Sequence, residues 1–189
     1  MQNAHNDARP FFSKLFSFSE EVIDLMCVSS SFLKVNKDET VITEATFNPN
    51  VYVIKKGLVR SYFIDEVSGN EINKTFRSEQ EYFMQCEEPE LKSSYQALEP
   101  CEFYVIHLDI AGDLKKNHAS FQEFLYRTVS EDWRRKELLN KMLSLPTAKA
   151  RYAMLEKKFP DWLQRVPQFH LASFLNMTPV HLSRVRKSH

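Results

Sequence analysis

One change of texture near Leu108 constrains this chain more than any other feature. From about residue 31 to 108 short runs rich in Val, Ile, Phe, Tyr and Thr are separated by turn residues: SFLKV, TVITEATF, VYVIKKGLVRSYFID, NEINKTF, SSYQAL and CEFYVIHL. Ile72-Asn73-Lys74-Thr75-Phe76 alternates in polarity, as a half-buried antiparallel strand does. Asp65-Glu66-Val67-Ser68-Gly69-Asn70 has the residues of a hairpin turn. Beyond Leu108 that alternation ends and apolar residues recur at helical steps. Strands first and helices after predict an α+β chain. Six or more short strands at this spacing predict a β-sandwich or small barrel, hence a jelly-roll-like N-terminal half.

The helical signals are local. In SEEVIDLMC (19–27) Ser19 can cap a short helix, Glu20 and Glu21 suit its positive end, and Val22, Leu25 and Met26 form a stripe. Asp109 to Asn117 reads as a short helical piece. From His118 to Leu145 no Gly or Pro intervenes, and Phe121, Phe124, Leu125, Thr128, Leu138, Met142 and Leu145 recur at three- and four-residue steps, with Arg134, Arg135 and Lys136 between them. A helix of that length spans about 42 Å, more than a small sandwich needs to cover itself. Its stripe suits either a packed core or a seam with a second copy, and a homodimer through 118–145 is the expectation. Pro146 stops it. Thr147 can cap TAKARYAMLEKKF, where Ala148, Tyr152, Leu155 and Phe159 share an apolar face and Lys149, Arg151, Lys157 and Lys158 lie elsewhere. A loop over Pro160–Pro167 is expected to follow. The domain boundaries are therefore expected at 1–117, 118–145 and 146–189.

From Gln168 the chain fits two short helices across a tight turn. Leu171 and Leu175 make a four-step apolar pair, and Ala172 is small where the helices must approach. Asn176 falls where a left-handed residue is needed, and Asn tolerates that conformation best after Gly. Met177 points back inward, Thr178 can cap the second helix, and Pro179 suits its first position. Leu182 and Val185 supply the second buried stripe. That leaves Val180, Ser183, Arg184 and Lys187 on the opposite face, flanked by Pro179, His181 and Arg186, a face that suits a DNA major groove. Arg184 can donate two parallel hydrogen bonds to a guanine edge, and Val180 can touch a thymine methyl. Ser183, Arg186, Lys187 and the Thr178-capped helix start suit phosphates. His181 and His170 read more simply as surface or partly packed imidazoles.

Charge agrees with that placement. Residues 1–133 carry 13 Lys+Arg against 22 Asp+Glu, a net −9; residues 134–189 carry 12 against 3, a net +9. A basic module with a polyanionic partner, joined to an acidic one without, is the reading. Three Gly in the whole chain argue against a phosphate-cradling loop. Cys27, Cys86 and Cys101 are widely spaced, with no C-x-x-C, so reduced thiols are expected rather than a zinc or dithiol site. His107 is alone on the strands, without the clustered His and Glu of a metal-dependent jelly-roll enzyme, and no nucleophile signature stands in a recognisable context. No enzyme, metal or cofactor is expected. No run reaches the length of a membrane helix, and MQNAHNDARPFF lacks the features of a secretion signal, so the cytoplasm is the expected location.

Strand-rich half, long helix and C-terminal helix-turn-helix together resemble the cyclic-AMP receptor protein and fumarate–nitrate regulator (Crp/Fnr) family of bacterial transcription factors, over nearly the whole chain. The segments that carry the resemblance are VYVIKKGLVRSYFID (51–65), ALEPCEFYVIHLD (97–109) and PDWLQRVPQFHLASFLNMTPVHLSRVRK (160–187). The last is similar to a compact Bacteroidetes branch with VP-x-x-x-(I/L)-A-x-(Y/F)-L followed by TP-x-x-LSR-(I/V)-R. The resemblance implies a cyclic-nucleotide-binding-like jelly roll, a dimerisation helix and a DNA-binding domain. Three departures qualify it. The family's cyclic-nucleotide site needs a Gly-Glu pair and a downstream Arg-Ser or Arg-Thr, whereas FRSEQEYFMQCEEPELKSSYQAL (76–98) has no Gly, no Arg beyond Arg77, and Glu87, Glu88 and Glu90 crowding Lys92. Three scattered cysteines cannot reproduce the four that hold an iron–sulfur cluster in oxygen-sensing members. The chain stops at His189, without a full β-hairpin wing after the second helix. The expectation is a homodimeric regulator that binds pseudo-palindromic double-stranded DNA, does not respond to cyclic AMP, and answers to an unknown small molecule if to any. The competing reading is a sensor or protein-interaction module whose helix-turn-helix no longer binds DNA.

Overall fold

The computed structural model describes residues 2–85, 88, 92–107 and 116–188, and among these all side chains except those of 2–7, 120, 124, 125, 127 and 128. Two compact units divide the chain: 1–60 with 77–128, and 61–76 with 129–189. The piece expected at 109–117 falls mostly outside the described residues.

The first unit opens with α1 (Gln2–Leu15) and α2 (Glu20–Ser29), the latter capped by Ser19, whose hydroxyl accepts from the Val22 amide. Eight strands follow along the chain, the stretch 61–76 of β4 and β5 being assigned to the second unit: β1 (Ser30–Val35), β2 (Thr40–Ile42), β3 (Val51–Lys56), β4 (Val59–Ile64), β5 (Glu71–Arg77), β6 (Tyr82–Phe83), β7 (Ser94–Ala97) and β8 (Cys101–Ile106). One sheet runs β1-β8-β3-β6 and the other β2-β7-β4-β5. Two four-stranded sheets in that order are the jelly roll expected from the sequence.

Period-two alternation explains how this unit divides its core. On β3, Tyr52 and Ile54 face the space between the sheets while Val53 faces the helices; on β8, Phe103 and Val105 face inward and Tyr104 and Ile106 outward. Antiparallel pairing of Val51 with Ile106 and of Ile54 with Phe103 holds these sets level. The helix-covered layer collects Phe12, Phe16, Val22, Met26, Tyr104 and Phe121. VYVI (51–54) therefore reads as a continuous apolar run because side chains on both its faces are buried. The break after β3 is Gly57, at φ +103°, where a Cβ would stand 2.5 Å from Cys101 Sγ and 2.9 Å from the Pro100 carbonyl.

Helix α1 lies in a segment from which no structure was expected. Its polar N-terminal stretch masks the signal, and its apolar residues Phe11 and Phe12 find their partner in Tyr104, both at 5.2 Å between ring centroids. A side-chain ion pair from Arg9 to Asp24 ties α1 to α2.

The long helix, α3, spans Ala119–Leu143, two residues short of the expected end and one of the expected start. Phe121 and Met142 are buried as expected, Leu139 rather than Leu138 is buried, and Phe124, Leu125 and Thr128 fall among the side chains not described. No helix among the described residues is long and apolar enough to cross a membrane.

Candidate nucleic-acid interface

The second unit is assembled around aromatic contacts. After α3 come α4 (Ala148–Lys158), α5 (Pro160–Arg165), α6 (Gln168–Phe174) and α7 (Pro179–Lys187). Helix α4 is capped as expected, the Ala150 amide donating to Thr147 Oγ1 at 3.1 Å. Helix α5 corrects the loop expected over Pro160–Pro167. Proline is favourable at a first helical position, Asp161 suits the first turn, and Trp162 is drawn into the core. Its indole stacks on Phe159 and meets Phe76 and Phe174 edge-on at 5.0 and 5.5 Å.

Phe76 belongs to β5, so the β4–β5 hairpin (61–76) packs with the helices. The Asn73 amide donates to Ser173 Oγ, that hydroxyl donates to the Glu71 carbonyl, and Asn73 Nδ2 lies 3.4 Å from Nδ1 of buried His170. Arg135 of α3 donates to the Phe76 carbonyl and lies over the Phe159 and Trp162 rings at 5.7 and 5.6 Å. Arg135 is one of the charges expected between the apolar positions of α3; these carbonyl and ring contacts hold it half-buried. Arg151, expected on the outer face of α4, likewise donates to the carbonyls of Leu145 and Leu175. Each guanidinium satisfies carbonyls that a chain turn or strand leaves open.

The turn between α6 and α7 follows from its residues. Asn176 adopts φ +52°, the Met177 amide donates to the Ala172 carbonyl at 3.0 Å, and the Asn176 amide donates to the Ser173 carbonyl at 3.1 Å. That pair of bonds is a Schellman ending, which needs a left-handed residue at this position. Thr178 then caps α7, accepting from the His181 amide at 3.2 Å, and Pro179 takes the first position. Leu171, Ala172, Leu175, Leu182 and Val185 are buried and Met177 partly so, holding the two helices together.

The remaining residues of α7 form the outer face. Val180, His181, Arg184, Arg186 and Lys187 are exposed, as is the capping Thr178, while Ser183 is half-buried and so less available than its spacing implied. Lys149 of α4 donates to the Ser188 carbonyl at the end of α7. Phe169 on α6, which sequence reasoning passed over, is 58% exposed. Its exposure is not written in its type, because Phe174 on the same helix is buried.

In the first unit, the space between the sheets is filled by the chain's own rings. Phe83 stacks on Tyr52 at 5.2 Å and on Tyr95 at 4.4 Å, and meets Phe103 edge-on at 5.9 Å. Buried Arg60 donates to Gln96 Oε1 at 2.6 Å, and Gln96 donates on to the Asp38 carbonyl. Of the acidic residues expected to crowd Lys92, Glu87 and Glu90 lie outside the described residues. Cys27 and Cys101 are free and buried, and burial pushes the Cys101 thiol up to about 11. His107 lies just past β8, with Nδ1 3.2 Å from Asn50 Oδ1. Among the described residues no group of three or more His, Cys, Asp or Glu could hold a metal ion.

No protein-family model matches the chain, and no curated protein matches it by sequence. Solved structures do match. A Crp/Fnr-family transcriptional regulator from Eubacterium rectale superposes with a TM-score of 0.74 at 12% identity, over 93% of this chain and 87% of that one. This is the Crp/Fnr fold. FixK2 from Bradyrhizobium japonicum matches with a TM-score of 0.72 at 16% identity, over 84% of this chain and 83% of its own. A cyclic nucleotide-binding domain containing protein from Listeria monocytogenes matches at 0.68 and 16% identity, over 95% and 88%. The jelly roll, the long helix and the helix pair α6–α7 are thus parts of one Crp/Fnr architecture.

Proposed function

We propose that the chain is a homodimeric, sequence-specific DNA-binding transcription regulator of the Crp/Fnr type. The observation that carries this reading is the outer face of α7. Leu182 and Val185 anchor the helix, and Arg184, Arg186 and Lys187 stand exposed on it behind a capped, proline-started first turn. Arg184 is the base reader, with Val180 beside it. Arg186, Lys187, Ser183, His181 and the Thr178 cap serve the phosphates and flanks. The domain division follows as 1–117 for sensing, 118–145 for dimerisation and 146–189 for DNA.

The seam for the second copy is on α3. Tyr126, Val129 and Trp133 recur at three- and four-residue steps and are 75%, 66% and 62% exposed. Pairing along that stripe sets two recognition helices about 34 Å apart, one turn of DNA, and makes the target pseudo-palindromic. The jelly roll does not respond to cyclic AMP in this reading: stacked Tyr52, Phe83 and Tyr95, with Phe103 edge-on, take the space between the sheets, and 76–98 has no Gly-Glu pair and no Arg beyond Arg77.

Selection from a random duplex library, followed by a salt titration of the selected site, tests the reading. Two phosphate-binding cations per protomer, Arg186 and Lys187, give about four per dimer, so affinity falls by about two decades between 50 and 200 mM salt. A shallow salt dependence, or no preference over random duplex, returns the chain to a sensor or interaction module with a silent helix-turn-helix.

A further inference from the structure

We propose that Phe169 and Val180 form an apolar edge that reads the 5-methyl groups of two neighbouring thymines in each half-site, an inference that rests on the DNA-binding reading above. Along the C-terminal helices α4–α7 the large apolar side chains are otherwise buried or half-buried, with Trp162, Leu171, Phe174, Leu175, Leu182 and Val185 all buried. Phe169 and Val180 stay 58% and 62% exposed, so neither serves the core.

They also stand at the same end of the helix pair. Each is the second residue of its helix, and Gln168 Nε2 donates to the Pro179 carbonyl at 3.3 Å, joining the two helix starts. The Phe169 ring rests against the His170 imidazole, 3.9 Å between centroids, and His170 is itself buried, which limits where the ring can turn. The helix that carries Val180 is cationic toward its far end, where Arg184, Arg186 and Lys187 are exposed, and residues 134–189 carry a net +9. A polyanion fits that surface better than an apolar peptide does.

Duplex DNA offers one apolar group in its major groove, the thymine methyl, and Phe is among the side chains suited to it. That methyl stands at the edge of the groove beside its own strand's backbone. The first helix of a helix-turn-helix crosses the backbone there while the second enters the groove. Val180 on α7 therefore meets one methyl from within the groove, and Phe169 on α6 meets its neighbour from the backbone side.

The test uses the full-length protein and a duplex from library selection, with thymines replaced by deoxyuridine one at a time and affinity read by fluorescence anisotropy. Two adjacent positions per half-site should each lose about fourfold, the factor for one buried carbon. Phe169→Ala should become indifferent to uracil at one of them and Val180→Ala at the other, while Phe169→Leu keeps part of the penalty. Both residues are exposed, so circular dichroism should show these variants folded. Selected sites without thymine pairs, uracil duplexes bound at full affinity, or a full uracil penalty in Phe169→Ala overturn the methyl reading alone. Absence of duplex binding by the wild-type protein overturns the DNA reading and this edge with it.

Discussion

The turn between α6 and α7 allows a graded test of how the helix pair is held. Asn176 is at φ +52° and exposed, its amide and that of Met177 closing the Schellman bonds to Ser173 and Ala172. Its side chain does no packing, so substitution acts on the backbone. An ordinary L-residue in the left-handed region costs about 1–2 kcal/mol, and Asn recovers part of that through local polar contacts. Asn176→Gly should therefore lie within about 0.5 kcal/mol of wild type, since relief of the left-handed cost is offset by greater freedom in the unfolded chain. Asn176→Ala should lose about 1 kcal/mol and Asn176→Val about 2 kcal/mol, because a branched Cβ crowds the turn further. Urea unfolding followed by tryptophan fluorescence reports this directly, because Trp162 is buried in the same unit. The midpoints should order as Gly near Asn, then Ala, then Val. DNA affinity of each variant, measured well below its midpoint, should stay near wild type. A valine variant as stable as wild type would remove the left-handed turn from the account, and with it the reason Asn stands there.

Other consequences follow from single residues. Arg184→Ala should leave stability within about 0.5 kcal/mol, because its side chain is exposed, yet weaken operator binding by about 1–3 kcal/mol per half-site and relax the base preference at one position, measured by anisotropy on an operator series. Thr178→Ala removes the hydroxyl that accepts from the His181 amide and should cost about 1 kcal/mol, seen as faster amide exchange over the first turn of α7. Cys101, with its thiol held up at about 11 by burial, should resist alkylation at pH 8 in the folded protein and react only on unfolding, as mass spectrometry would show. Asp65 accepts from the Ser68 hydroxyl and amide, which holds its carboxyl below the usual range. A folded pKa below the unfolded one contributes stability at higher pH that is lost as pH falls through the folded value. Ser68→Ala should therefore raise the Asp65 pKa, and an NMR titration that finds no rise contradicts the turn geometry.

Legibility of the chain followed the range over which its determinants act. The turn and caps of α6–α7 were readable because Leu171, Asn176, Thr178, Pro179, Leu182 and Val185 carry their reasons within fifteen residues. The same holds for Ser19 and Thr147, each capping the helix that begins one residue later. The strands of the jelly roll were readable from alternation or from β-rich apolar stretches between turn residues, except β6, whose two residues are too short to show a pattern. Helix α5 was missed because a loop bounded by two prolines and a helix started by the first proline share the same pattern. What decides between them is the place of Trp162 against Phe76 and Phe174, over eighty residues and twelve residues away.

By itself, then, the sequence determined the order of elements, the local stops and starts, the left-handed turn and the concentration of positive charge toward the C-terminal third. Those depend on backbone sterics, capping and spacing, which a chain carries wherever it goes. Only the tertiary structure decided that α1 covers Tyr104, that the hairpin 61–76 belongs with the helical unit, and that Arg135 and Arg151 turn inward to open carbonyls. It also left Phe169 in solvent while burying Phe174 five residues on. Each of these outcomes needs a partner distant in sequence, and spacing along one segment holds no record of what the fold will bring beside it.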